Sequence, residues 1–133
     1  MDKLCIDILF SGTHMIAEFQ NKINLLVAGS GGGKTFLMKG IEEYCLQNNI
    51  SCWRFNSDAA DISLDNIKCI CRSHQVLLFD NASLYMTNEL MDWLKKTNKF
   101  VIFSMYKTST IDMRGIVEYL VTFENQKITI DEL

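Results

Sequence analysis

The segment INLLVAGSGGGKT occupies residues 23–35 of a chain of 133 residues. Its first part, Ile23 to Ala28, is a nearly uninterrupted apolar run, which predicts a strand buried on both faces. A glycine-rich turn follows, and the apolar residues of Lys34 to Gln47 recur at the spacing of a helix. A buried strand, a glycine-rich loop and a helix in this order predict an anion site at the start of the helix.

The residues of this loop have the chemistry that a phosphate site requires. Glycines permit positive φ and leave no side chain in the way, so consecutive backbone N–H groups can converge on one anion. Lys34 supplies a point charge for the β- and γ-phosphates, and Thr35 supplies a hydroxyl ligand for Mg²⁺. The predicted nucleotide-binding residues are Gly29, Ser30, Gly31, Gly32, Gly33, Lys34, Thr35 and Phe36.

Two segments resemble motifs of the P-loop NTPases. Ala28 to Thr35 resembles Walker A, with Ala28 where the usual pattern begins with glycine. Val76 to Asp80 (VLLFD) resembles Walker B, an apolar strand that delivers an acid to the edge of the sheet where ligands gather. The resemblance extends from about Ile23 to Phe123 and implies ATP and Mg²⁺ as cofactors. Thr35 and Asp80 would be the metal ligands, with Asp80 acting through a water.

Apolar runs alternate with helical stretches over the rest of the chain, which is typical of a parallel α/β sheet. Together with the resemblance, this predicts a three-layer P-loop NTPase fold with a mostly parallel central sheet, an N-terminal hairpin and a C-terminal β-hairpin. Residues 1–133 would form a single nucleotide-binding domain, most like a small ATPase with an additional strand between the Walker strands. The predicted strands are 4–10, 15–19, 23–28, 50–55, 75–80, 100–104, 118–123 and 127–130.

Helices are predicted at 34–47, at 64–71 and after the N-caps Thr87 and Thr110.

The predicted catalytic residues are Lys34, Asp80, Asn81 and Ser104. Many P-loop ATPases place a glutamate directly after the Walker B acid, but this chain has Asn81, whose amide can orient a water and cannot accept its proton. Ser104 falls where related ATPases often keep a polar sensor of the γ-phosphate. The sequence therefore predicts an ATP-binding hydrolase with slow or partner-regulated turnover.

Two alternatives of different classes stay open. The first is a small-molecule or nucleotide kinase, in which Arg54 and Asp58 contact an acceptor. Only three arginines occur in the chain, whereas kinases usually bring several to the transferred phosphate. The second is a nucleotide-responsive binding module in which Asn81 marks the loss of turnover.

Composition and charge bear on partners. With a net charge of −3 and a pI near 5.3, the chain is unlike a dedicated nucleic-acid binder. A basic patch around a helix end, Lys95, Lys96, Lys99 and Lys107, keeps nucleic acid as an alternative partner. A homo-oligomer or a protein partner is a further alternative, and Arg114 is a candidate arginine finger for a neighbouring subunit.

The cysteines and the apolar runs indicate in which cellular compartment the protein is expected. Five cysteines occur without a CxxC pair, and most have apolar neighbours, so we interpret them as core residues of a protein in a reducing compartment. The sequence contains no run of 18 apolar residues, so no membrane span is predicted. The first ten residues lack the features of a signal peptide, so we expect a cytoplasmic protein.

Overall fold

Eight strands and three α-helices occur in the computed structural model, which describes residues 2–28, 32–105 and 111–133. The α-helices are α1 (Lys34–Gln47), α2 (Leu64–Arg72) and α3 (Asn88–Lys95), and short 3₁₀ turns cover Ser57–Asp61 and Ala82–Leu84. The strands are β1 (Lys3–Phe10), β2 (Thr13–Gln20), β3 (Ile23–Val27), β4 (Cys52–Phe55), β5 (Val76–Phe79), β6 (Phe100–Ser104), β7 (Ile116–Glu124) and β8 (Lys127–Glu132).

Both hairpins expected from the sequence are present and close through turns of two residues. Ser11 and Gly12 join β1 to β2 with φ angles of 48° and 77°, and Asn125 and Gln126 join β7 to β8 with φ angles of 52° and 58°. Left-handed backbone at both turn positions is the mark of a type I′ turn, whose twist matches that of the flanking strands.

The strands form one mixed sheet in the order β1-β2-β8-β7-β3-β6-β5-β4. Strand β2 runs parallel to β8 and thereby joins the two hairpins, while β3, β6, β5 and β4 are parallel to one another. The predicted three-layer P-loop NTPase fold with a mostly parallel central sheet is therefore wrong. Antiparallel pairs are built into the sheet at β1–β2 and β7–β8, and the described chain is rich in strands with only three α-helices.

The sheet curls around helix α1, which contacts β1 at one edge and β4 at the other. Eight strands spaced by about 4.8 Å would span roughly 34 Å if they lay flat. A helix is only about 10–12 Å across, so one helix can contact both edges only if the sheet bends into a half-barrel. The buried face of α1 (Leu37, Met38, Ile41 and Cys45) packs in one apolar cluster with the inner face of the β1–β2 hairpin.

The other face of the sheet carries α2 and α3 over a second apolar cluster. Ser63 caps α2 by accepting the N–H of Asn66, and Thr87 caps α3 by accepting the N–H of Leu90, as the sequence predicts for Thr87. The predicted cap Thr110 lies outside the described residues. Residues 111–115 form no helix, and β7 begins at Ile116, two residues earlier than predicted.

The cysteines are less uniformly internal than the sequence suggests. Cys45 and Cys71 are buried and Cys52 is half-buried, but Cys5 and Cys69 are exposed, so the core assignment is wrong for these two. Among the described residues, no helix is both long and apolar enough to cross a bilayer.

Gly40 in α1 supplies a test of this packing. A Cβ added to Gly40 would overlap Met15 Sδ of β2, and Met15 is fully buried. Replacing glycine by alanine inside a helix ordinarily adds about 1 kcal/mol of stability. Here we expect Gly40→Ala to lower the free energy of unfolding by up to about 2 kcal/mol in urea titrations, because overpacking costs about 1–3 kcal/mol and outweighs the propensity gain.

The Met15→Ala variant, which has a shorter side chain at this contact, is the matched background for Gly40→Ala. With Met15 shortened, Gly40→Ala should raise stability, since the overlap is gone and the helix propensity remains. A stabilising effect of Gly40→Ala in the unmodified chain would contradict the close approach of α1 to β2.

Candidate functional site

Helix α1 begins at the edge where five parallel strands end. Strands β7, β3, β6, β5 and β4 point the same way, so their carboxyl ends share one edge of the sheet. Gly33 is the N-cap residue of α1, and its carbonyl accepts the N–H of Leu37 at 2.8 Å. The first N–H groups of α1 have no partner within the helix and leave a partial positive charge at this edge.

Gly33 is required at this position for two reasons. Its φ of 84° lies in the left-handed region, and a Cβ there would come within 2.9 Å of Phe123 Cδ2. The start of α1 therefore packs directly on the β7–β8 hairpin. Gly29, Ser30 and Gly31, which the sequence assigns to phosphate binding, lie outside the described residues.

The predicted metal ligands are in direct contact. Thr35 Oγ1 donates a hydrogen bond to Asp80 Oδ1 at 3.0 Å, and Ser104 Oγ donates to the same oxygen at 3.3 Å. Asp80 follows β5 and is only 6% exposed. Residues from the start of α1, the end of β5 and the end of β6 thus converge on one buried carboxylate.

Arg54 of β4 also reaches this carboxylate, which the sequence reading missed. Its Nη1 lies 3.6 Å from Asp80 Oδ2, and its Nε bonds to the Glu42 carboxylate in α1. A buried carboxylate is costly unless a cation or hydrogen-bond donors compensate its charge, and Arg54 does so in part. The available signal was a single charge in an apolar strand, CWRF, that ends at the same edge as Asp80.

The turn after β5 is fixed by hydrogen bonds. The Asn81 N–H donates to Ser104 Oγ at 3.0 Å, and Asn81 adopts left-handed backbone with φ of 51° while remaining exposed. The Tyr85 hydroxyl donates to the Asp80 carbonyl at 2.8 Å. Burial, and then the charge of Asp80, raise the pKa of Tyr85 well above its usual range, so its hydroxyl stays protonated as a donor. Tyr85 carried no motif in the sequence.

An open cavity of about 410 Å³ lies at the start of α1. Phe36 forms an apolar part of its wall, since its ring stacks on Phe123 with centroids 5.9 Å apart and leans on Phe10. The lining residues are Gly32, Gly33, Lys34, Thr35, Phe36 and Lys39. Gly32, Gly33 and Lys34 of the predicted loop therefore line one cavity together with Thr35, whereas Asp80 and Ser104 are not among its described lining residues.

Two other candidates from the sequence have partners within the chain. Arg114 forms a two-point ion pair with Asp112, with Nη2 and Oδ2 2.6 Å apart, and this bonding holds the pKa of Asp112 well below its usual range. Lys95 donates to the Asp112 carbonyl at 2.9 Å, and Lys99 donates to the Arg72 carbonyl at 3.4 Å. Lys107 of the same basic patch lies outside the described residues.

The site combines a helix N-terminus, a lysine, and a hydroxyl–carboxylate pair. This set suits a polyanion together with a hard divalent cation. In the described ranges, no three or more His, Cys, Asp or Glu side chains gather into a metal-binding group. No protein-family model matches the chain, and no curated protein matches its sequence.

Ser104 gives a test of the network around Asp80. Ser104→Ala removes both the donor to Asp80 and the acceptor of the Asn81 N–H in a buried position. We expect the free energy of unfolding to fall by about 1–3 kcal/mol, because the buried Asp80 carboxylate loses a hydrogen-bond donor.

Ser51→Ala is the matched control. Ser51 Oγ also accepts a backbone N–H, from Gln75 at 2.9 Å, but Ser51 is exposed and water can replace it. We expect a change within about 0.5 kcal/mol for this variant in the same denaturant titration. Equal losses for the two serines would contradict the buried network.

Proposed function

We propose that the chain binds ATP with Mg²⁺ at the edge formed by the start of α1 and the ends of β5 and β6, and that it hydrolyses the nucleotide slowly. The observation that carries this proposal is the hydrogen bond between the Thr35 hydroxyl and the Asp80 carboxylate at 3.0 Å. These are the two oxygens that the Walker-type motifs assign to Mg²⁺, and they lie 45 residues apart in the chain.

The triphosphate would be held by charge and by backbone donors. The unsatisfied N–H groups in the first turn of α1 point to the edge where the phosphates would lie, and the helix dipole favours a negative charge there. Lys34 is half-buried and lines the cavity, so its ammonium adds a full positive charge at the same place. A polyphosphate would bind here more tightly than a single carboxylate, because each of its phosphates carries negative charge and is attracted by these groups.

The oxygens present fit Mg²⁺. Thr35 donates its proton to Asp80, which leaves the lone pairs of its hydroxyl oxygen free for a cation. Mg²⁺ prefers oxygen ligands and keeps several waters, so one hydroxyl and one carboxylate are a sufficient protein contribution. When bound, Mg²⁺ supplies charge neutralisation on the phosphates. Arg54 Nη1, at 3.6 Å from Asp80 Oδ2, places a positive charge beside this carboxylate.

Asn81 favours slow turnover. Its backbone is fixed by Ser104, and its exposed amide can orient a water but has no basic site to take the proton. The same observation favours binding without hydrolysis as a second candidate function. The kinase alternative gains no support, because Arg54 is already engaged by Glu42 and Asp80.

Lys34 and Lys39 provide a matched pair of variants for binding. Both line the cavity and both lie in α1, but only Lys34 belongs to the Walker-type motif. By calorimetry with Mg·ATP, we expect Lys34→Ala to raise Kd about 10- to 150-fold, the loss of a charged hydrogen bond of about 1.5–3 kcal/mol. Lys39→Ala should change Kd by less than about threefold. Absence of Mg-dependent binding to the unmodified chain contradicts the proposal.

Asn81→Glu tests the chemical step. A carboxylate at this position can accept a proton from water, so we expect phosphate release to rise by about 10-fold or more. In Asn81→Gln the new side chain is as long as glutamate and must adopt the same left-handed backbone, but it has no basic group. This variant should leave the rate of phosphate release within about twofold of that of the unmodified chain. Equal rates for the two variants would show that the water is activated elsewhere. A rate that depends on an added acceptor molecule would indicate a kinase.

A further inference from the structure

Strand β1 is an open edge of the sheet. It comes first in the strand order, so within the described residues it pairs on one side only, with β2. The pairing is continuous over all eight residues, from Lys3 opposite Gln20 to Phe10 opposite Thr13, and no bulge turns the strand away from a neighbour. The chain also contains no proline. A long and regular edge of this kind is a template for a further strand.

The register shows which backbone groups of β1 face outward. The two-residue turn makes Phe10 and Thr13 a hydrogen-bonded pair, and such pairs recur at every second residue of the hairpin. The His14 N–H agrees with this phase, because it donates to the Gln126 carbonyl on the β8 side at 3.0 Å. Leu9, opposite His14, therefore belongs to a pair without hydrogen bonds. The residues of β1 that direct N–H and C=O away from β2 are Lys3, Cys5, Asp7 and Leu9.

The side chains of these outward-facing residues are exposed. The Lys3 and Asp7 side chains are 56% and 74% exposed, even though each has a partner on β2. Lys3 Nζ lies 3.7 Å from Glu18 Oε1, and Asp7 Oδ1 lies 2.7 Å from His14 Nε2. Both charged groups are therefore accessible to a second partner of opposite charge.

The charges on this edge are complementary to those of a second copy of the same edge. Two β1 strands related by a two-fold axis run antiparallel, and residues with outward backbone groups then lie directly opposite one another. With Cys5 opposite Cys5 of the second copy, Lys3 lies opposite Asp7 at both ends. A shift of two residues places Lys3 opposite Leu9, and a shift of four places Asp7 opposite Asp7. Charge thus favours the register centred on Cys5.

We propose that β1 is a dimerisation edge, at which it pairs antiparallel with β1 of a second copy of this chain and Cys5 lies on the two-fold axis. The opposite residues exchange backbone N–H···O bonds, and an ion pair between Lys3 and Asp7 lies on each side of the axis. On the inner face Leu4 comes opposite Ile6, so the apolar cluster around α1 continues across the axis. Each copy uses its one β1 edge, so the assembly closes at two copies.

A charge exchange tests the pairing in the full chain. Sedimentation equilibrium should show a monomer–dimer equilibrium for the unmodified protein. Asp7→Lys and Lys3→Asp each place like charges opposite one another at both ends, so we expect each to raise the dimer dissociation constant by about 10-fold or more. The double variant Lys3→Asp/Asp7→Lys restores opposite charges and should return the constant to within about threefold of the original.

Asp92→Lys is the matched control for the change in net charge. Asp92 is exposed in α3, which covers the other face of the sheet, and its replacement changes the net charge as Asp7→Lys does. We expect this variant to leave the dimer dissociation constant within about threefold of the original. Circular dichroism of every variant checks that the fold is retained.

Cys5 is a built-in probe of the two-fold axis. A short bis-maleimide should join Cys5 to Cys5 and give a covalent dimer. Trypsin cuts after Lys3 and Lys22, and residues 4–21 contain no lysine or arginine, so the product is peptide 4–22 linked to itself. Cys5→Ser should abolish the covalent dimer. Cys69→Ser, at the other exposed cysteine, should leave it unchanged.

Four outcomes overturn the proposal. The first is a monomer at every concentration of the unmodified chain, and the second is a species larger than a dimer, which would indicate that β1 pairs with a different strand. The third is a double variant that dissociates as readily as the two single variants, because the ion pairs would then not be formed between copies. The fourth is cross-linking through Cys69 that equals cross-linking through Cys5.

Discussion

The packing of α1 inside the curl of the sheet is the constraint on which the rest of the structure depends. The helix contacts both edge strands, β1 and β4, and its inner residues are completely buried. Gly40 allows it to lie directly on Met15, and Gly33 allows its first turn to lie on Phe123. Because the helix is held along its length, Thr35 is placed at the one edge where it can reach Asp80.

The second constraint is electrostatic. Asp80 follows a strand whose four residues are all fully buried, so its carboxylate is held at the boundary between the core and the edge. Two hydroxyl donors and the Arg54 guanidinium compensate its charge. Such an arrangement costs desolvation energy that an apolar residue would not, which is typical of a residue kept for binding or chemistry.

Much of the local structure followed from the sequence, and the architecture did not. Periodicity gave α1 at its observed bounds, the two hairpins and the Thr87 cap, because each depends on residues close in the chain. Periodicity did not predict that His14 in β2 pairs with Lys127 in β8. This pairing joins the two hairpins, so the sheet is mixed and curled and is not the parallel layer that we expected. Strand neighbours depend on contacts between distant residues, which no local pattern records.

The same division holds at the site. Thr35, Asp80 and Ser104 were expected together because strand ends of one direction share an edge of the sheet. The contacts of Arg54 and Tyr85 with Asp80 were missed, since one comes from the edge strand and the other from a 3₁₀ turn without a motif. Both show that a motif can indicate a ligand without indicating the groups that hold the ligand in place.

Amide NMR of the isotope-labelled chain during titration with Mg·ATP would test the central claim most directly. The account predicts saturable shifts for the amides of Lys34 and Thr35 at the start of α1 and of Asp80 at the end of β5, with little change at the β1–β2 turn around Gly12. Shifts that do not saturate, or that spare the start of α1 and lie elsewhere in the fold, would contradict it.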